Sequence, residues 1–285
     1  MASATYTLLH GDARCVPLAD ASVDCVVTSP PYWGLRSYGI GAENGELGAE
    51  PTPDEYVAHL VEVGREMWRV LKPSGTFWLN IGDSYAGSGR GPTGHNGIGN
   101  QTLRQGFDSP GAVVPSGLKP KDLVGIPWRV AFALQAEGWW LRDAIIWAKA
   151  EMTVDWKTQG STMPGSQRDR CTCAYEFVFQ LNKSATYFWD GEAIKSPTSW
   201  PRNVWRINPK PYRGAHYATF PPKLAEKCIL AGCPVGGVVF DPFVGSGTAV
   251  AAAVKLGRVG IGLDLSAEYL KRDAEPRVRA EVCVK

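Results

Sequence analysis

The 285-residue sequence contains no apolar run of membrane-spanning length and no signal-peptide pattern at its start. A membrane partner is therefore not expected, and a cytoplasmic location is. Paired CxxC motifs are also missing. The seven cysteines are odd in number and scattered, with Cys171 and Cys173, and Cys228 and Cys233, as the only clusters. That pattern argues against a zinc site and for reduced thiols, and no metal is expected. Charge of one sign is scarce too: the formal net charge is +2, and charged residues make up 20%. Such a balance neither demands nor forbids nucleic acid, because a DNA-acting enzyme needs only a local basic face. A full dinucleotide fingerprint and a Walker lysine are both absent, which argues against NAD and ATP.

What is present suits a large α/β domain, with inserts or a small added lobe. Hydrophobic residues at 44% supply a sizeable core, while 32 glycines and 21 prolines imply many turns. Most of the eleven tryptophans are expected in the core, and one or two could stack on a base.

The chain is organised around Val26-Val27-Thr28-Ser29-Pro30-Pro31-Tyr32-Trp33. Val23, Cys25, Val26 and Val27 read as a buried strand. The prolines cannot extend a central ladder, so the strand should stop at a rigid turn. Open α/β sheets bind ligands at the carboxyl ends of their strands. A Ser hydroxyl, carbonyls and aromatic faces there suit a flat substrate bearing an amino group. An isolated Pro-Pro-Tyr would more simply be a loop covering the core, but a second motif weighs against that.

Near the other end, Gly237 to Phe240 form an apolar strand running into Asp241-Pro242-Phe243-Val244-Gly245-Ser246-Gly247-Thr248. A helix should start at about Ala249. Gly245 and Gly247 allow a sharp turn and close approach to a ligand, and the helix start favours a carboxylate or other anion. Val259 to Leu263 form another strand, ending in Asp264 roughly twenty residues after Asp241. At that spacing an acid meets ribose hydroxyls in a βαβ nucleotide unit.

Other elements follow from periodicity. Tyr6–His10 reads as a strand ending near Asp12, whose plainer role is to form a turn. Thr52, Pro53 and Glu55 give a capping box for a helix with an apolar stripe from Tyr56 to Leu71, ended by Lys72 to Gly75. Strands are expected at Thr76–Ile81, Ala144–Trp147 and Tyr175–Leu181, and helices at Trp128–Glu137 and Lys223–Ala231. The stretch 86–116 is polar and long. It reads equally as a disordered insert or as a loop ordering on DNA, with Arg90, His95 and Arg104 near phosphates.

Together the two motifs resemble the beta class of amino-group DNA methyltransferases, the N4-cytosine/N6-adenine family that uses S-adenosylmethionine. There the catalytic motif comes first and the cofactor motif last, as here. Thr28 to Arg36 match the Thr-Ser-Pro-Pro-Tyr-Trp subgroup met in bacteria and phages. The resemblance spans nearly the whole chain. It implies a Rossmann-like methyltransferase fold with a mostly parallel sheet in permuted order. It also implies a catalytic half at 1–149, a target-recognition region at 150–212 and a cofactor half at 213–285.

By the same resemblance, Ser29, Pro30, Pro31 and Tyr32 form the catalytic motif. The cofactor would meet Asp12, Ser29, Asp241, Phe243, Gly245, Ser246, Gly247, Thr248 and Asp264, with His216 and Thr219 near its methionine end. Double-stranded DNA would be the partner, met by Trp33, Arg36, Arg90, Arg104, Lys157, Arg168 and Arg170. A homodimer and a companion restriction endonuclease stay open. Ala148 to Glu151 stand where close relatives carry Lys-Pro-Asn-Pro, so recognition details do not transfer.

The implied reaction is methyl transfer to the exocyclic amine of a flipped base. No Pro-Cys pair occurs, which argues against carbon-5 cytosine methylation. Adenine N6 is expected over cytosine N4, because the glycine-rich loop after Trp33 leaves room for a larger base; Ser at position 29 pulls toward cytosine. Two other readings are an RNA or protein amine methyltransferase, and a DNA-binding regulator without turnover. The motif order opposes the first, and the intact motif residues oppose the second.

Overall fold

The computed structural model describes residues 5–34, 45–87, 114–152, 158–160, 168–209 and 220–283. Its strands are β1 (Tyr6–His10), β2 (Val23–Thr28), β3 (Leu71–Ile81), β4 (Trp140–Ala148), β5 (Ala150–Met152), β6 (Thr158–Gly160), β7 (Tyr175–Asn182), β8 (Val204–Arg206), β9 (Val238–Asp241) and β10 (Val259–Asp264). The helices are α1 (Pro53–Val70), α2 (Ile126–Ala136), α3 (Pro222–Gly232), α4 (Thr248–Lys255), α5 (Ala267–Tyr269) and α6 (Glu275–Cys283). A π-helical turn, Leu270–Ala274, joins α5 to α6. Among the described residues, no helix is long and apolar enough to cross a membrane.

Eight strands form one sheet in the order β1-β10-β9-β2-β3-β7-β4-β8. Neighbouring strands run parallel except on either side of β7, which is antiparallel to both β3 and β4. This is the mostly parallel α/β sheet that the sequence led us to expect. Strand β2 is central, with β9 on one side and β3 on the other. The two motifs, some two hundred residues apart in sequence, therefore lie on adjacent strands.

Alternation along the strands builds two core layers. Val26, Phe77, Leu79, Phe179 and Leu181 pack with α1 and α2 on one face. Cys25, Val27, Trp78 and Val178 pack with α3 and α4 on the other. Side chains of successive strand residues point to opposite faces, so one buried strand serves both layers. A third cluster seats α6 on α4 through Val250, Val254, Ala274 and Val278.

Two boundaries differ from expectation. The stretch Lys72 to Gly75 does not simply end α1, because Leu71 already pairs with Val23 in β3. The register then jumps so that Cys25 faces Thr76, and the intervening residues bulge outward where Pro73 could not donate to a ladder. Helix α2 starts at Ile126 rather than Trp128. Asp83 accepts the N–H groups of Gly125 and Ile126, and Pro127 sits in the first turn, where a missing N–H costs nothing.

While β5 and β6 of the stretch 150–212 pair in a separate two-stranded sheet, the same stretch supplies β7 and β8 to the central sheet. The aromatic, alternating sequence of β7 explains this, since it fills the slot between β3 and β4.

Candidate active site

Strand β2 ends at Thr28, and the backbone turns through Ser29-Pro30-Pro31-Tyr32. The turn is bolted from behind. Tyr56 of α1 donates its hydroxyl to the Pro31 carbonyl at 2.7 Å. Trp33 is buried and donates its indole N–H to the Glu50 carbonyl at 2.9 Å. Trp33 therefore anchors the turn to the core, which corrects its expected role as a DNA contact: a ring only 1% exposed has no face to offer.

Tyr32 is fixed at both ends of its ring. A Cβ on Gly82 would stand 2.6 Å from the ring, so the bare glycine is what lets the ring lie there. Its hydroxyl donates to Glu176 Oε2 at 2.8 Å and accepts from Ser29 Oγ at 3.3 Å. Asn80 donates to the same Glu176 oxygen at 3.2 Å, and Lys149 pairs with Glu176 Oε1. Burial pushes the Tyr32 phenol well above its usual pKa, and the nearby Glu176 charge adds to this, so the phenol stays neutral and can donate.

A cleft of about 870 Å³, its open mouth included, lies between the turn and the second motif. It is lined by Asp12, Ser29, Pro31, Phe243, Gly245, Ser246, Thr248 and Asp264, all expected at the site. Gly11, Glu46, Leu47, Phe220, Leu265 and Tyr269 also line it, and sequence reasoning did not single them out. Phe220, Leu265 and Tyr269 follow closely on Thr219 and Asp264; that neighbourhood was the signal available for them. Glu46 and Leu47 follow the segment after Trp33 and had no motif to mark them.

The glycine turn is shaped by a carboxylate. Asp264 accepts the Gly245 N–H on Oδ2 and the Ser266 N–H on Oδ1, both at 2.9 Å. Gly247 caps α4 at a φ of 80°, with no side-chain cap on the helix. Asp12 is gripped by Arg14, whose Nη2 lies 2.6 Å from Oδ2. Burial works to raise the Asp12 carboxyl, but the Arg14 hydrogen bonds outweigh it and hold the pKa below the usual range.

Asp241 is not on the cleft wall. It is buried at 1% exposure, accepts the Thr28 hydroxyl at 2.6 Å and takes the Phe243 N–H at 3.1 Å. It thus joins the end of β2 to the start of the glycine turn. Burial raises its pKa to about 7, against the lowering pull of the Thr28 bond. Pro30, Tyr32 and Gly247 are likewise absent from the cleft lining.

Arg168 and Arg170 are exposed, with Arg170 lying 3.6 Å over the Tyr85 ring. The remaining expected residues, His216, Thr219, Arg36, Arg90, Arg104 and Lys157, fall outside the described residues.

A family model described as DNA methylase matches residues 23–275. The chain is 45% identical to the Type II methyltransferase M.SmaI of Serratia marcescens, over 92% of this chain and 87% of that one. It is 43% identical to M.Cfr9I of Citrobacter freundii, over 93% and 85%. Among solved structures, PvuII DNA methyltransferase (cytosine-N4-specific) superposes with a TM-score of 0.68 at 19% identity, covering 99% of this chain and 92% of that one. A DNA modification methylase of Thermus thermophilus, complexed with S-adenosyl-L-methionine, gives 0.62 at 24% identity, covering 98% and 95%.

Proposed function

The chain belongs to the DNA methylase family, and we propose that it methylates the exocyclic amine of a flipped cytosine at Ser29. The observation that carries the site is that Ser29 and Pro31 of the turn after β2 share one cleft with Gly245, Ser246 and Thr248 of the glycine turn. S-adenosylmethionine, the family's methyl donor, supplies an activated methyl sulfonium. The chain's residues suit it: Asp264 and Asp12 offer carboxylates for hydroxyls and amines, the uncapped start of α4 favours its carboxylate, and Phe243 and Tyr269 offer apolar faces.

An exocyclic amine is a poor nucleophile because its lone pair is delocalised into the ring. The Ser29 hydroxyl oxygen and the Pro30 carbonyl would accept its two hydrogens and turn the lone pair toward the methyl group. Tyr32 would hold the ring of a base turned out of the duplex.

Two facts support cytosine. Position 29 is a neutral serine, and a solved structure that superposes on 99% of this chain is described as cytosine-N4-specific. The sequence-based preference for adenine rested on the loop after Trp33, of which residues 35–44 lie outside the described set. Mass spectrometry of nucleosides from DNA methylated by the protein should give N4-methylcytosine, lost in Ser29→Ala and Tyr32→Ala. N6-methyladenine as the sole product would reverse the base assignment and leave the amine chemistry intact.

A further inference from the structure

Ser29 carries no charge, yet the reaction at its oxygen builds positive charge on the base nitrogen and must release a proton. The structure connects Ser29 to a carboxylate by an unbroken line of hydrogen bonds. Ser29 Oγ donates to Tyr32 Oη at 3.3 Å, and Tyr32 Oη donates to Glu176 Oε2 at 2.8 Å. We propose that Glu176 is the terminal proton acceptor of the methyl transfer, reached through Tyr32 and Ser29. This rests on the Ser29–Tyr32 site proposed above and holds for either base.

The surroundings of Glu176 fit that role. It lies at the start of β7, the strand paired with β3, and so beside the end of β2. Its Oε1 pairs with Lys149 and its Oε2 takes the Asn80 amide N–H, donors suited to a carboxylate in a side chain only 14% exposed. Asn80 itself is fixed by donating to the Phe177 carbonyl at 3.0 Å. The Lys149 ammonium lies 4.7 Å from the Trp147 ring centre, which adds a second hold on the cation. Tyr32, Asn80 and Lys149 thus converge on the Glu176 carboxylate.

In the transfer, the amine lone pair forms the N–C bond while the S–C pair remains on sulfur as a neutral thioether. The methylated nitrogen, now positive, gives a proton to Ser29 Oγ. Ser29 passes its own hydrogen to Tyr32 Oη, and Tyr32 passes its hydrogen to Glu176. Glu176 ends as a carboxylic acid and is restored by exchange with water after the product leaves. Before the proton moves, the same line orients the Ser29 hydrogen away from the base, leaving its lone pairs to accept from the amine. The 3.3 Å link is long, as such bonds commonly are before substrate arrives.

The test is single-turnover methyl transfer from radiolabelled S-adenosylmethionine to unmethylated plasmid DNA. Glu176→Gln keeps the size of the side chain and removes the base. It should slow transfer on the order of 100-fold, the lower end for general acid–base catalysis, with cofactor affinity by calorimetry and melting temperature unchanged. Glu176→Asp should recover part of the rate. The wild-type solvent deuterium effect should shrink in Glu176→Gln and in Tyr32→Phe.

A readout on the free protein checks the contact itself. The charged or titratable groups that act on the Tyr32 phenol are Glu176 and Tyr56. Its other hydrogen-bond partners are the Ser29 hydroxyl and the Asn80 side-chain oxygen, a second acceptor at 3.3 Å and so a longer contact than Glu176. Removing the Glu176 charge should move the phenol's ultraviolet titration, assigned by difference with Tyr32→Phe, toward its ordinary value. A Glu176→Gln rate within about threefold of wild type, or an unmoved phenol, overturns the relay. So does a slow variant that binds cofactor weakly or melts early. Full activity in Ser29→Ala and Tyr32→Phe would overturn the site reading as well, and that outcome is distinct from failure of Glu176 alone.

Discussion

Thr28 and Asp241 show how single side chains weld two distant motifs. Their 2.6 Å bond lies below the cleft, so Asp241 serves the site by holding the walls. A buried carboxyl with a pKa near 7 has a definite pH signature. Its folded value lies above the ordinary 3.8, so the unfolded chain ionises first as pH rises. The folded state therefore loses stability between about pH 4 and 7 and regains it on acidification. The gap corresponds to roughly 4 kcal/mol at full effect. Asp241→Asn can still accept from Thr28 and Phe243 through its amide oxygen. Its melting temperature should consequently fall less than that of wild type between about pH 5 and pH 8. Parallel melting curves in the two proteins would show that Asp241 does not titrate in this range.

At the scale of elements, the glycine turn depends on what presses against it from the far end of the chain. Gly247 has a φ of 80°, and a Cβ there would stand 3.1 Å from backbone atoms of Ala274. Gly247→Ala must strain both the αL backbone and the seat of α6 on α4. A loss of about 1–3 kcal/mol in chemical denaturation is expected, together with weaker cofactor binding by calorimetry, since Ser246 and Thr248 line the cleft. Unchanged affinity would separate the turn from the cofactor. Arg277 adds to this coupling by donating to both Ser246 and Thr248 hydroxyls at 2.8 Å.

Such contacts also mark where the sequence was legible. Most strands, the capping box at Thr52 and the glycine turn follow local rules of period, capping and φ and were readable, whereas the three-residue strands β5, β6 and β8 are too short to show a period. Glu176, Asn80, Lys149 and Arg277 were not, because each gains its meaning from strands or helices paired across the sheet. Trp33 looked like a surface aromatic because nothing local announces that the Glu50 carbonyl waits for its N–H.

For the whole molecule, a net charge of +2 means that DNA affinity must come from a few placed cations. The parallel strands end on the side of the sheet that carries the cleft, and the proposed entry of a flipped base would bring the duplex to that side. Beyond β3, a stem is closed by backbone bonds between Ala86 and Lys121 and between Ala86 and Asp122. The stretch expected to read DNA meets the same stem. Arg170 stacks on Tyr85, and Asp169 pairs with Lys121. Asp169 and Arg170 thus adjoin the Tyr85–Lys121 stem, with Arg168 exposed beside them. If this is the duplex face, Arg168→Ala should weaken DNA binding uniformly across sequences and lower the salt slope of log affinity by about 1. Arg170 is partly committed to Tyr85, so Arg170→Ala should reduce affinity and also loosen the stem, seen as faster hydrogen exchange at Ala86 and Lys121. Fluorescence anisotropy with labelled duplex over a salt series reads both. Unaltered affinity and slope in the two variants would move the duplex to another face of the molecule.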